Sequence, residues 1–281
     1  ALKSLNESGI RNTSRIIKKK LNTYYELGYS SAGVVIEVGQ DVKKIKKGDL
    51  VACCGGGVAS HAEMISVPEN LTVKVSDINS MDSYSSVALG STSLQGVRRL
   101  SPTLGENHLV VGLGFIGQIT IQILSANGCK VYGIDPNSFF IKKAKENNFI
   151  NLYRSFEELK KNISPEILDN GFDGSIITAS SESNEILSEV FKLCRKKARV
   201  VVVGDIGLKI NREDIYKKEI DFLISTSYGP GRYDENYEKN SVDYPKEYVR
   251  WTLNRNMQAY IDLIDNKKVN LSNLIEKKVK I

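Results

Sequence analysis

Residues 108–135 narrow the fold more than any other stretch. An apolar run, a glycine-rich turn, an apolar helix and a second apolar run follow one another without a break. LVVGLG reads as a strand and turn, FIGQITIQILSANG as a helix with Gly128 past its end, and KVYGID as the next strand. The turn is Gly112-Leu113-Gly114-Phe115-Ile116-Gly117. A GxGxxG pattern alone is weak, because glycine turns are common. Here it closes a strand and opens a helix inside a βαβ unit, the context that gives the pattern meaning.

That context assigns each glycine a task. Gly112 permits the tight turn, Gly114 lets the backbone approach a pyrophosphate, and Gly117 lets helix and strand pack closely. The helix start offers free N–H groups and partial positive charge to phosphates. Asp135 ends the second strand, 18 residues after Gly117, where a carboxylate accepts from ribose hydroxyls and repels a 2′-phosphate. NAD is therefore expected over NADP, a preference that Lys142 and Lys143 soften. Pro136, Thr178 and Gly204 join Leu113, Phe115 and Ile116 as further candidate cofactor contacts. The competing readings are a glycine turn with a chance aspartate, and a methyltransferase, which also carries an acid after its second strand.

The same alternation continues to about residue 227. A helix over 138–147, the short strand FINLY, a polar helical segment, SIITAS, a helix over 182–196, RVVVVG and DFLISTS succeed one another. Apolar strands alternating with helices predict an α/β, doubly wound parallel sheet. The grammar differs before residue 100. Residues 1–20 read as polar, basic helix. GVVIEVG, DLVACCGGG and HAEMISVP read as short strands of an antiparallel unit, and 82–100 as a helical connection. The tail predicts a helix over 254–264 and a last strand near 274–281.

With 41% hydrophobic and 26% charged residues, the chain can bury a core and is not expected to be disordered. No apolar run reaches the ~20 residues of a membrane span, and no signal peptide is visible, so a cytoplasmic protein is expected. The net charge of +6 comes from scattered lysine pairs, which argues for a solvated surface over nucleic-acid binding. Cys53, Cys54, Cys129 and Cys194 include no CxxC spacing; reduced structural thiols are expected, with no four-cysteine zinc lobe.

Several separated motifs carry a family resemblance. Gly28-Tyr-Ser-Ser-Ala-Gly33-Val-Val-Ile-Glu37-Val-Gly39, then Lys47-Gly48-Asp49-Leu-Val, resembles the pattern GHExxGxVxxVG…GDxV of medium-chain dehydrogenases/reductases, and His61-Ala-Glu63-Met…Val67-Pro68 resembles their AEY…VP segment. The resemblance implies a GroES-like, mainly β catalytic domain facing a Rossmann domain. The corresponding division is a partial GroES-like domain over 1–94, completed by 247–281, and a Rossmann domain over 95–246. The chain looks most like the first half of bi-domain oxidoreductases of bacterial polysaccharide gene clusters. That likeness rests on LGYSSAGVV, SHAE, GLGFIGQ, Ser227-Tyr-Gly-Pro-Gly-Arg-Tyr-Asp234, Asp243-Tyr-Pro, Tyr248-Val-Arg-Trp-Thr252 and Arg255-Asn-Met257. A fused or partner glucose–fructose-oxidoreductase-like domain and a homodimer are its further implications. Against that pattern, the initial GroES-like strands and the second domain are expected to lie outside the given sequence, as in a fragment.

Zinc members of the family use the histidine of GHE and a later Cys, Asp or Glu, besides an early cysteine whose segment is missing here. Tyr29 and Ser30 replace His and Glu, and the later position falls at Leu89–Gly90, so no zinc is expected. Without a Lewis acid, side chains must stabilise an oxyanion. The candidates are Tyr29, Ser30, His61 and Ser93, the last standing where the family often carries threonine. Tyr228, Arg232, Tyr233, Arg250 and Trp251 read as a grip for a polar sugar derivative, or else as a surface loop or dimer contact. The expected reaction is hydride transfer between NAD and a hydroxyl or carbonyl carbon. The alternatives are a zinc-independent quinone or enone reductase and a non-catalytic NAD-binding module of a larger polypeptide.

Overall fold

The structure, a computed structural model, describes residues 26–275 together with 277 and 279. Two sheets organise them. The first is antiparallel, with β1 (Ser30–Val34), β2 (Leu50–Cys54) and β3 (Thr72–Lys74) in that order. Ala32 faces Ala52 across the first pair, and Ala52 faces Val73 across the second. β2 is apolar along its whole length because both of its faces are covered. Ala52 and Cys54 enter the main core, while Val51 and Cys53 pack with Ala59 in a small cluster of their own.

Two helices, α1 (Met81–Tyr84) and α2 (Val87–Leu100), lead from this sheet to the second. The second is six parallel strands: β4 (Asn107–Val111), β5 (Lys130–Ile134), β6 (Leu152–Tyr153), β7 (Phe172–Ile177), β8 (Cys194–Val202) and β9 (Asp221–Ile224), in the order β6-β5-β4-β7-β8-β9. The connecting helices are α3 (Phe115–Ala126), α4 (Ser138–Glu146), α5 (Phe156–Asn162), α6 (Pro165–Asn170), α7 (Glu185–Leu193) and α8 (Arg212–Tyr216). α9 (Glu235–Glu238) and α10 (Leu253–Asp265) follow.

Side chains on a strand alternate between faces, and here both faces are buried. Val110, Val131, Ile176 and Val201 enter the core shared with α2, α3 and α10, whereas Leu109, Tyr132, Ile177 and Val202 enter the one covered by α5, α6 and α7. This explains why the strands read as continuous apolar runs. The strand order reverses between β4 and β7, which opens a crevice above their carboxyl ends, the place where such sheets bind ligands.

α10 ties the two sheets together. Its Asn254 side chain donates to the carbonyls of Asn70 and Thr72 at 3.0 and 2.9 Å, and Tyr260 bonds Ser86 at 2.8 Å. A Cβ on Gly90 of α2 would lie 2.1 Å from the Tyr260 ring, so that glycine is what lets the two helices touch. Among the described residues no helix is long and apolar enough to cross a membrane.

Five details depart from the sequence reading. Of GVVIEVG only Gly33 and Val34 lie in a strand, β1, which starts further back at Ser30. HAEMISVP forms bends with residues 61–66 exposed, not a strand: it pairs with no described strand, and a cavity of about 710 Å³ separates it from the edge strand β1. The helix expected over 82–100 is broken between α1 and α2. That expected over 182–196 stops at Leu193, where Cys194 begins β8 opposite Phe172. Residues 271–275 form a turn, not a strand. The remainder of the predicted tail strand falls largely outside the described residues, and the predicted helix over 1–20 does so entirely.

Candidate functional site

The glycine loop sits between the end of β4 and the start of α3. Gly112 has φ +93°, open to glycine without strain, and a Cβ there would also lie 2.6 Å from the Ala179 nitrogen. A Cβ on Gly117 would come within 2.0 Å of the Gly112 carbonyl oxygen, whereas one on Gly114 would meet nothing within 4 Å. Two glycines are thus required by the protein's own packing. The third borders open space, a backbone surface left bare for a ligand. Gly114 supplies no side-chain cap to α3, and the N–H groups of Phe115, Ile116 and Gly117 have no hydrogen-bond partner among the described residues. An uncapped helix start facing open space is suited to a phosphate.

Asp135 is buried and braces this loop. One carboxylate oxygen accepts from the Leu113 N–H at 2.7 Å, the other from the Asn137 N–H at 2.8 Å. Each oxygen keeps a second lone pair for a ligand hydroxyl. Thr178 is a brace too: its hydroxyl donates to the Gly112 carbonyl at 2.6 Å. A Cβ on Gly204 would lie 2.0 Å from the Ala179 carbonyl oxygen, so Gly204 lets the ends of β7 and β8 close together. The Pro136 carbonyl accepts from Arg154 at 3.3 Å. Sequence reasoning passed over Arg154. Its only signal is an arginine directly after β6, whose partner strand β5 runs straight into Asp135; it brings a guanidinium to Pro136, next to Asp135.

A second group of side chains gathers where the turn after β9 meets β1 and β2. Tyr228 is 7% exposed, and its hydroxyl has no hydrogen-bond partner among the described residues. Burial raises its phenol to about 12, and Cys54, Arg232, Tyr29 and Tyr233 lie near enough to act on its charge. Arg232 stacks on Tyr233 with 4.1 Å from guanidinium carbon to ring centroid. Its Nη1 is paired with Glu238, and its buried Nε has no partner. Ser227, Gly229, Gly231 and Tyr233 all have positive φ, so the turn is tightly coiled. The His61 ring lies against the backbone of Gly28, where a Cβ would approach it to 2.2 Å, next to the half-exposed Tyr29. The structure therefore unites Tyr29 with Tyr228, Arg232 and Tyr233, and sets His61 against Gly28, the residue before Tyr29.

It does not bring the other candidates there. The Ser30 hydroxyl donates to the Ser85 carbonyl at 2.6 Å and accepts from the Ala88 N–H at 3.1 Å, so it joins β1 to the start of α2. Ser93 is buried and donates to the carbonyls of Leu89 and Ile116 at 3.1 and 3.2 Å, fixing α2 against the glycine loop. Arg250 and Trp251 lie with Arg98 beside Ile123 and Asn127. That is the far end of α3, whose 12 residues span about 18 Å. The sequence reading that grouped them with Tyr228, Arg232 and Tyr233 in one grip is corrected by this position: α10 begins at Leu253 and pulls them toward the amino ends of the strands.

Among the described residues the site assembles no set of zinc ligands. Tyr29 and Leu89 are poor ligands, and the Ser30 oxygen is already engaged. Cys53 and Cys54 are buried thiols whose ionisation is disfavoured by burial, Cys53 being raised to about 11. Among the described residues no group of three or more His, Cys, Asp or Glu converges. The segment expected to carry the first ligand lies outside the described residues.

A doubly wound sheet with a braced glycine loop at its switch point defines a dinucleotide-binding class of protein. Comparison with known proteins agrees. The family model for the alcohol dehydrogenase GroES-like domain matches residues 4–77, and that for zinc-binding dehydrogenase matches 116–242. The chain is 29% identical over 206 residues to quinone oxidoreductase of Rattus norvegicus, a match covering 71% of this chain and 61% of that protein. It is 34% identical over 114 residues to D-guloside 3-dehydrogenase of Escherichia coli, covering 40% and 32%. In fold it is similar to galactitol-1-phosphate dehydrogenase from Escherichia coli, with TM-score 0.70 and 16% identity, over 92% of this chain and 79% of that one. The chain belongs to the medium-chain dehydrogenase/reductase superfamily, pairing a Rossmann-like parallel sheet with a GroES-like unit. It spans 61% of the length of the quinone oxidoreductases it matches.

Proposed function

We propose that this chain is an NAD-dependent oxidoreductase that transfers hydride between the nicotinamide and a hydroxyl or carbonyl carbon, without catalytic zinc. The glycine loop carries the reading, through the open space at Gly114, the unpaired N–H groups of α3 and Asp135 beside them. The cofactor supplies the redox chemistry when bound. The chain's own residues orient it. The N–H groups of Phe115, Ile116 and Gly117 receive the pyrophosphate, and the free lone pairs of Asp135 receive the adenosine ribose. Repulsion between Asp135 and a 2′-phosphate favours NAD, while Arg154 opposes that preference.

Tyr29, Tyr228 and Tyr233 supply the hydroxyls that hold or protonate a substrate oxygen, with His61 exposed beside them. Glu238 already neutralises Arg232, which suits the cleft to an uncharged polyol better than to an anion. The likeness to D-guloside 3-dehydrogenase supports a sugar or sugar derivative. The likeness to quinone oxidoreductase, over more of the chain, supports a second reading, zinc-independent reduction of a quinone or enone. Because the chain spans 61% of those relatives, a dinucleotide-binding module within a larger protein is a third.

The test is steady-state turnover, with NAD and a panel of alkyl hexosides in one arm and NADH and 1,2-naphthoquinone in the other. Hexoside oxidation supports the first reading and dominant quinone reduction the second. Fluorescence-detected NADH binding without turnover in either arm supports the third. Stoichiometric zinc retained after dialysis overturns the metal-free mechanism.

A further inference from the structure

Arg98, Trp251 and Arg250 remain unused by this reading, and they form a site of their own. The guanidinium carbons of Arg98 and Arg250 lie 3.2 and 3.7 Å from the Trp251 ring centroid. Both are therefore close above the ring; on one face they would overlap, so they occupy opposite faces. Arg98 and Trp251 border a cavity of about 520 Å³ walled by Leu94, Val97, Ile123, Ala259 and Leu263, while Arg250 is exposed on the other face of the ring; the volume suits a small ligand.

We infer that this cavity is a second binding site, for a small amphiphilic anion whose phosphate or carboxylate meets the Arg98 guanidinium beside Trp251, with Arg250 adding positive charge from the far face of the ring, and whose apolar part fills the cavity. Charge is the first argument. Among the described residues, neither arginine has a carboxylate within ion-pair distance, although Arg195, Arg199, Arg232 and Arg255 each have one. Two like charges held either side of one ring repel, and an unpaired cation in a partly buried place is costly. Burial, and then the charge of Arg250, lower the Arg98 guanidinium to about 10. The ends of α2 and α3 at Ser101 and Asn127 contribute partial negative charge, about half a unit each. Solvent meets the exposed Arg250, so only these partial charges face the half-buried Arg98.

Donor count is the second argument. Arg98 uses only its Nε, which donates to Asn256 at 2.7 Å. Its two terminal nitrogens and every nitrogen of Arg250 have no hydrogen-bond partner among the described residues. A forked guanidinium with free donors is matched to the paired oxygens of a phosphate or carboxylate. The apolar walls add a preference for a ligand with a hydrocarbon part. The site lies at the end of α3 remote from the glycine loop, so it does not depend on the cofactor reading.

Trp251 is the only tryptophan in the chain, so its fluorescence reports on this site. The purified protein is titrated with hexyl phosphate, inorganic phosphate and 1-hexanol at constant ionic strength, alongside Arg250→Ala and Arg98→Met. The expected result is a saturable change with hexyl phosphate, at a Kd at least about tenfold below those of inorganic phosphate and 1-hexanol, a margin of about 1.4 kcal/mol. Each variant should raise that Kd by about tenfold or more. Saturation by 1-hexanol as tight as by hexyl phosphate would remove the anion from the proposal, and equally tight inorganic phosphate would remove the cavity. An absent signal, or unchanged binding in Arg250→Ala, which leaves the packed residues in place, overturns it.

Discussion

At the glycine loop the groups presented to a ligand are backbone N–H groups, and the side chains around them serve as braces. At the cleft beside β2 the presented groups are side chains, and the backbone only delivers them. The loop draws its parts mainly from one βαβ unit, whereas the cleft needs Tyr29 and Tyr228 from widely separated parts of the chain. The contrast shows two ways of making a site. One is specified by local geometry and tolerates few residue types. The other is specified by how two sheets dock, and its residue types follow the substrate.

Two glycine variants test the first half of that contrast most strongly. Gly117→Ala should cost about 1–3 kcal/mol of stability by overpacking against Gly112, and should weaken NADH binding about a hundredfold. Gly114→Ala meets no protein atom, so its unfolding midpoint should match the parent while NADH affinity falls on the order of tenfold. Denaturant unfolding and cofactor fluorescence together read both. If Gly114→Ala unfolds early, the open space there belongs to the protein and not to a ligand.

On the cleft side, Tyr228→Phe removes a hydroxyl that no described group uses. Stability should be unchanged or slightly higher, because no partner is orphaned, while kcat for whichever substrate the turnover panel supports falls about a hundredfold. NADH affinity should stay level. A large loss of stability with normal turnover would make Tyr228 a structural residue.

A smaller effect separates Asp135 from Arg154. Arg154→Ala should raise the preference for NADH over NADPH about threefold, the scale of one exposed charge contact. Asp135→Ala should remove most of the preference, and cost about 1–3 kcal/mol by leaving the Leu113 and Asn137 N–H groups unpaired. Equal affinity for the two cofactors in the parent protein would sink the assignment of Asp135.

The smallest effect lies outside both sites. Burial holds the imidazole of His108 below its ordinary 6.5, against an opposing pull from Glu106. Below pH 6.5 the unfolded chain takes up a proton that the folded chain refuses, so stability falls as pH drops and levels off below the lowered pKa. Above 6.5 the group is neutral in both states and contributes no slope. In His108→Gln the acid side of the stability profile should be flatter, as urea midpoints across that range would show.

The order and character of the elements from β4 to β9 were legible in the sequence, because a strand buried on both faces and a helix with one apolar stripe leave periodic marks. So was the glycine loop, since only glycine meets its backbone demands at Gly112 and Gly117. The failures have a common physical source. HAEMISVP has the residues of a strand but no described neighbour to pair with. Ser30 and Ser93 carry hydroxyls suited to chemistry, yet the carbonyl of Ser85 after α1 and carbonyls on α2 and α3 claim them. Arg232 and Arg250 stand 18 residues apart in similar aromatic company, but one meets Glu238 in the cleft and the other stacks on Trp251 at the far end of α3. Residue type and spacing fixed what each side chain is able to do. Which partner reached it first was decided by the docking of α10 and the turn after β9 against the first sheet, long-range contacts that leave no periodic trace in the chain.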